Sequence, residues 1–308
     1  MEIIHLRNDD EISQLNNEYA VAIGNFDGVH LGHREVIKKA VKLASSKNMK
    51  AGVMCFDVTP RQLVNKIDNY YMLRSFEQKK EILEELGIET IFLIHFNDKI
   101  KNLSPQEFVE KMIISSNIKY LVCGYDFAFG KNKAGNATYL QQFSEFKTII
   151  LPRIEINHDK VSSTLINELL SHGSIQEANR LLVKPYSIIG KVIAGNQKGR
   201  MIGFPTANVL PLVNYRIPQS GVYATRVIVN DKEYYGMTNI GHNPTFNFSC
   251  NTSVETNIFD FDEDIYGCII EIIFIKYIRK EKIFDDVDDL VRQLNKDKQD
   301  IIDFFNEK

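Results

Sequence analysis

Cysteine is scarce in this 308-residue chain: the four present (Cys55, Cys123, Cys250, Cys268) lie far apart, with no CxxC and no Cys/His ligand spacing. That excludes a dense disulfide framework and the common zinc ligand sets, and leaves free, mostly buried thiols as the expectation. Long apolar runs are missing as well. No stretch supplies eighteen consecutive apolar residues, and the opening MEIIHLRNDDEIS lacks the basic segment, apolar core and small-residue cleavage site of a secretory signal. The expected location is the cytoplasm, with no membrane partner. Excess positive charge is absent too, since the formal net charge is -3, so no global field draws the chain toward nucleic acid. Any phosphate it binds must be held by local groups.

Present instead are 44% hydrophobic residues and enough length for two ordinary domains, with no internal repeat and no low-complexity tract. From residue 20 to about 182, short apolar runs alternate with helical periodicity. Strands are expected at 20–24, 51–56, 90–94, 119–124 and 148–151, and the pattern is that of a parallel sheet with helices on its faces. Between them, Glu77 to Leu86 reads as an amphipathic helix stopped by Gly87, and Ser104-Pro105-Gln106-Glu107 as a helix start. Thr164 to Leu170 and Ile175 to Leu182 add a helical tail, which Lys184-Pro185 breaks. Beyond it the texture becomes antiparallel β. Val222 to Val229, Glu233 to Ile240, Ser253 to Phe261 and Gly267 to Ile278 are expected strands of a small barrel, before a final helix with Val287, Leu290, Val291 and Leu294 on one face. The expected domains are therefore 1–183 and 184–308.

Two motifs carry chemistry. The first, Gly24-Asn25-Phe26-Asp27-Gly28-Val29-His30-Leu31-Gly32-His33, runs from a strand into a helix-compatible segment. A glycine-rich turn at a helix N-terminus offers unpaired N–H groups to a phosphate, and the two imidazoles can donate to charge developing on a transferred phosphoryl group. The second is Gly195-Asn196-Gln197-Lys198-Gly199-Arg200-Met201-Ile202-Gly203-Phe204-Pro205-Thr206-Ala207-Asn208. Its glycines let a loop fold over an anion that Lys198 and Arg200 can neutralise. Thr206 and Asn208, if extended, project to one side as two oxygen ligands for a hard cation such as Mg2+.

The first motif resembles the HxGH nucleotidylyltransferases. Together with Cys123 to Gly130 and Ser162-Ser163-Thr164, it is similar to the adenylylating module of the bacterial bifunctional riboflavin kinase/FAD synthetases. The second resembles the riboflavin kinase signature, and further pieces follow in order at Gly221-Val222-Tyr223, Asn239-Ile240-Gly241, Pro244-Thr245-Phe246, Val254-Glu255 and Arg279-Lys280-Glu281 to Phe284. The resemblance implies a Rossmann-like nucleotidylyltransferase α/β domain with a parallel sheet. A flavokinase-type antiparallel Greek-key β-barrel with a terminal helix would follow it. It implies phosphorylation of riboflavin to FMN by Mg-ATP and adenylylation of FMN to FAD.

The resemblance also implies the site residues. Glu255 would be the kinase base, with His30 and His33 serving adenylyl transfer. ATP in the kinase would meet Gly195, Lys198, Gly199, Arg200, Gly203, Phe204, Pro205, Thr206 and Asn208, with Mg2+ on Thr206 and Asn208. The flavin would meet Gly221, Tyr223, Arg279, Glu281 and Phe284. In the N-terminal domain the nucleotide would meet Gly24, Asn25, Phe26, Asp27, Gly32, Asp126, Phe127, Gly130, Ser162, Ser163 and Thr164. The implied partners are riboflavin, FMN and ATP.

The chain departs from the family pattern at Thr59, where a histidine is usual, and at Ala128 and Asn167, where arginine is usual. Asn257 also stands where histidine is frequent. A neutral amide lacks the charge and bidentate reach of a guanidinium. A kinase with a catalytically weak or regulatory N-terminal domain is therefore the second reading. Taken singly, Glu255 would read as a solvated strand residue, Tyr223 and Phe284 as barrel core, and Arg279 with Glu281 as an exposed ion pair. An oligonucleotide-binding barrel is disfavoured, because no basic stripe interleaves with aromatics.

Overall fold

A computed structural model describes residues 1–7, 15–58, 70–156, 159–195, 198–242 and 252–307, without the side chains of Lys198 and His242. Thr59, Pro60, Pro244-Thr245-Phe246 and Cys250 lie outside the described residues. The chain divides into two compact units: Met1–Tyr70 with Ser75–Ser163, and Tyr71–Arg74 with Thr164–Lys308.

The first unit is a parallel sheet of β1 (Glu2–Leu6), β2 (Tyr19–Ile23), β3 (Lys50–Phe56), β4 (Thr90–Ile94), β5 (Ile118–Gly124) and β6 (Lys147–Leu151). The order across it is β1-β4-β3-β2-β5-β6. β1 is an addition to the expected strands. Helix α1 (Leu31–Lys47) follows β2, and α2 (Phe76–Glu85) follows β3. Ser75 and Gln78 form a capping box at the start of α2, and Gly87 ends its final turn at φ +92°. The helix start expected at Ser104 is present, with Pro105 in the first turn and Ser104–Glu107 as a capping box. β2 and β4 are buried on both faces, which is why each reads as an unbroken apolar run. From β2 the chain winds outward to β3 and β4, then returns to β5 on the other side of β2. The sheet therefore reverses direction between β2 and β5, and ligands in such sheets gather beyond the carboxyl ends of the strands at that crevice. The His30 motif follows β2, and Tyr125–Gly130 follows β5.

The second unit is a closed six-stranded barrel, in the order β7 (Ser187–Ile193), β8 (Ala207–Pro211), β11 (Thr252–Ile258), β10 (Lys232–His242), β9 (Gly221–Val229) and β12 (Ile269–Arg279). β9 and β10 form a hairpin turned by Asn230 and Asp231, both at positive φ. β7 and β8, which flank the Lys198 loop, are the strands the sequence texture did not mark. They supply the closure that removes the sheet edges. Inside the barrel, Thr225, Thr238 and Thr256 are fully buried and hydrogen-bonded in a chain, with Oγ···Oγ distances of 2.9 Å.

Helices α3 (Ser163–Ser171) and α4 (Ile175–Leu181) pack with the barrel unit from Thr164 onward, ahead of the break expected at Lys184-Pro185. Asn179 of α4 donates to Phe274 O and accepts from Tyr186 N, which fastens the helix to the barrel. Helix α5 (Val287–Asn306) begins at an Asp286 cap and buries Ile301 against Val222, Ala224 and Met237. Val291 and Leu294 join that contact as expected. Val287, in the first turn, is instead 58 % exposed, because the helix meets the barrel only further along.

Of the cysteines, Cys55 and Cys123 are buried free thiols and Cys268 is a half-buried one. Among the described residues, no group of three His, Cys, Asp or Glu could hold a metal ion, and no helix is long and apolar enough to cross a membrane.

Candidate active sites

In the first unit, the loop after β2 bends through positive φ at Phe26, Gly28 and Val29 before α1 begins. His30 caps the helix, its Nδ1 accepting from His33 N at 3.2 Å. A neutral imidazole with an accepting Nδ1 carries its proton on Nε2. The rings of His30 and His33 stack at 3.6 Å, and Phe26 meets His33 edge-on. A Cβ on Gly32 would lie 3.1 Å from the His30 ring, which would have to shift by a few tenths of an ångström to admit it. Burial, then the Lys160 cation, lowers the His30 pKa to about 4. Burial, then His30 and Lys79, holds His33 well below the usual histidine range. Both rings are therefore neutral donors at neutral pH.

Gly24 N continues the sheet by donating to Met54 O. Asn25 Oδ1 and His33 Nδ1 are buried and accept nothing from any described group. Asp27 is buried, and its carbonyl accepts from Ser163 Oγ at 2.9 Å, which ties the Ser162-Ser163 segment to the loop. Thr164 and Asn167 fall in the second unit, on α3. Beyond β5, Asp126 is paired with Lys160, whose ammonium lies 5.2 Å from the Tyr125 ring centroid. Lys160, whose charge is felt at His30, was not singled out from the sequence, since a lone lysine carries no spacing signal. Phe127 stacks on Phe129, Ala128 is exposed, and Gly130 turns at φ +71° against Pro105.

In the barrel, the strand register sets the site. Asn208 pairs with Glu255, Glu255 with Asn239, Asn239 with Val222, and Val222 with Arg279. Directly opposed residues of antiparallel neighbours share a face. The five therefore form one row, on the outer face where Val222 itself, with Ala224 and Met237, lies under α5. Glu255 is half-buried, and burial raises its carboxyl pKa, against a smaller lowering by the Ser253 hydroxyl. Glycines let the loop between β7 and β8 come close. A Cβ on Gly195 would lie 2.1 Å from Asn208 Nδ2, and one on Gly199 2.2 Å from Phe204 O and 3.5 Å from Thr206 Oγ1. Gly203 turns at φ +81°, and Phe204 is buried. Arg200, Pro205 and Thr206 line a cavity of about 320 Å³ with Ala207, Thr256 and Phe261. Asn208 follows Ala207 and Glu255 precedes Thr256 on the same strands, so their own side chains point to the face opposite that cavity. Asn257 donates to Pro205 O at 2.6 Å and anchors the turn ahead of Thr206, a contact with no sequence-local signal.

The flavin candidates separate. Glu281 packs against Gly241, where a Cβ would come within 2.6 Å of its carboxylate. Gly221, at φ +148°, lies against Arg279 O. Arg279 is paired with Asp297 of α5 at 2.7 Å and lies 5.9 Å from the Phe284 ring. The exposed Arg279–Glu281 ion pair is therefore not formed. Tyr223 points into the barrel, fully buried among Phe274 and Tyr277, with its hydroxyl donated to Gln219 O. It is core, on the opposite face from Glu255.

Replacing Gly199 by Ala is expected to lower barrel-site turnover at least tenfold, because the new methyl meets a backbone carbonyl that cannot swing away. ATP titration of the variant checks this, and turnover within twofold of the parent would refute the close-approach argument.

A histidine-capped helix N-terminus where the strand order of a parallel sheet reverses, followed by a closed barrel with a glycine-rich turn and a raised carboxylate, fits a two-unit transferase acting on phosphate groups. The family model described as FAD synthetase matches residues 12–165, and the one described as riboflavin kinase matches residues 182–305. Curated proteins called bifunctional riboflavin kinase/FMN adenylyltransferase match nearly end to end. That of Listeria monocytogenes is 38% identical over 96% of this chain and 95% of its own. That of Bacillus subtilis is 36% identical over 99% of both, and that of Escherichia coli 31% identical over 97% of both. A crystal structure from Streptococcus pneumoniae, described as a macrolide-efflux protein, superposes with a TM-score of 0.89 at 33% identity, over 97% of this chain and 98% of that one. The chain belongs to the bifunctional riboflavin kinase/FMN adenylyltransferase family.

Proposed function

We propose that the barrel phosphorylates riboflavin to FMN with Mg-ATP and that the α/β unit adenylylates FMN to FAD. The observation that carries the kinase half is the strand register that places Glu255 between Asn208 and Asn239 in one row on the outer face of the barrel. The Thr206 hydroxyl and Asn208 amide oxygen fit a hard cation, and the absence of a Cβ at Gly195 leaves the Asn208 amide in direct contact with the loop backbone. Magnesium bound there would neutralise the triphosphate charge. Glu255 accepts the proton of the ribityl 5'-hydroxyl as that oxygen attacks the γ-phosphorus, and ADP leaves.

In the α/β unit, the FMN phosphate attacks the α-phosphorus of ATP, and pyrophosphate departs. His30 Nε2–H donates to the oxygens on which charge grows, and the N-terminus of α1 adds its dipole. No side chain need serve as nucleophile there, so positioning and charge stabilisation suffice. Relatives matched over nearly their full length carry both activities in their names, so the reading with a silent N-terminal unit is not favoured. Cytoplasmic location and small-molecule partners, without nucleic acid or membrane, complete the reading.

The direct test is the full chain with riboflavin, ATP and magnesium, followed by chromatographic separation of flavins. FMN is expected first, then FAD. No FMN would sink the kinase half, and FMN that accumulates without FAD would sink the adenylyl half.

A further inference from the structure

Helix α5 buries a carboxylate where its amphipathic pattern leads one to expect an apolar side chain. Asp297 is 1 % exposed, and a buried carboxylate persists only when paired and hydrogen-bonded. Its partner is Arg279, whose Nε donates to Oδ1 at 3.1 Å and Oδ2 at 2.8 Å, with Nη2 at 2.7 Å from Oδ2. Gln293 adds a donor to Oδ1 at 2.8 Å. The other edge of the guanidinium is also fixed, since Nη1 donates to Lys280 O at 3.0 Å. Lys282 then reaches Gln293 Oε1 at 3.2 Å. The segment leaving β12 is thus tied to α5 at two points, and it carries Glu281 and Phe284.

Arg279 also ends the outer-face row that contains Glu255. Three strand spacings separate them, roughly 14 Å, with Val222 buried under α5 in between. The segment beyond Arg279 comes back toward the row, Glu281 packing against Gly241 two residues from Asn239. The Gly195–Asn208 contact that serves the nucleotide lies at the opposite end of the same row.

Resting on the kinase reading, we propose that Asp297 is a positioning residue for the flavin end of the barrel site. It holds Arg279 and residues 280–284 at the distance from Glu255 that lets the isoalloxazine lie at the Arg279–Phe284 end while the 5'-hydroxyl meets the carboxylate. Riboflavin use depends on it, and ATP use does not.

Asp297→Asn in the full chain keeps the shape and removes the charge. The expected result is a riboflavin KM, and a Kd from flavin fluorescence quenching, raised about tenfold. The ATP KM should stay within twofold and FMN adenylylation should be unchanged, while Asp297→Glu recovers most of the loss. Unchanged riboflavin constants, or an equal rise for both substrates, would overturn the proposal. If Asp297→Asn abolishes the thermal unfolding transition of the barrel, Lys282→Ala decides, because it cuts only the second tie. A rise confined to riboflavin is then expected, and no rise would overturn the idea. Parent protein that forms no FMN would instead defeat the kinase reading itself.

Discussion

Replacing Glu255 by Gln is expected to cut FMN formation by about a hundred- to ten-thousand-fold, the range of a lost general base, while adenylylation of supplied FMN continues. The amide is isosteric, so the pairings with Asn208 and Asn239 survive and only the proton acceptor is lost. Burial raises the Glu255 pKa, and only the ionised form can accept a proton. As pH falls, kinase kcat/KM should therefore decline from a higher pH than the ~4.3 of an ordinary glutamate would give. A pH-rate profile measured at saturating magnesium checks both points. Turnover of the variant within tenfold of the parent would remove Glu255 from the role.

The converse result is expected at His30. His30→Asn keeps an oxygen that can accept from His33 N and cap α1, but loses the Nε2 donor. FAD formation should fall about a hundredfold or more, the usual cost of one donor to developing charge, while riboflavin phosphorylation is unaffected. Steady-state rates from FMN plus ATP, and separately from riboflavin plus ATP, distinguish the two units. FAD formation retained within a few-fold would show that helix dipole and backbone donors suffice without the imidazole. Asn167 bears on the same question. Its neutral amide brings no charge to the nucleotide, whereas Lys160 is a cation whose field reaches His30.

Much of the candidate machinery was legible in the chain because it rests on local backbone chemistry. Gly28 and Gly203 adopt the positive φ that a loop over an anion requires. Ser75 and Ser104 cap helices through bonds spanning three residues. What resisted reading was pairing between distant segments. Tyr223 sat among plausible flavin contacts because an alternating strand does not declare which of its faces is inside. Only the register with β10 and β12 turns it inward and Glu255 outward. Asn257 and Asp297 looked like ordinary polar residues, and their contacts lie 52 and 18 residues away in sequence.

Local sequence was enough to point to the two chemistries, through glycine-rich loops suited to a phosphate and oxygen side chains suited to a hard cation, and to mark where helices start and stop. These follow from interactions within a few residues. The tertiary structure alone decided that six strands close, that Asn208, Glu255, Asn239, Val222 and Arg279 fall in one row, and that a carboxylate of the last helix holds the far end of it. Such alignments depend on strand register and on burial, and both are properties of segments meeting across the fold.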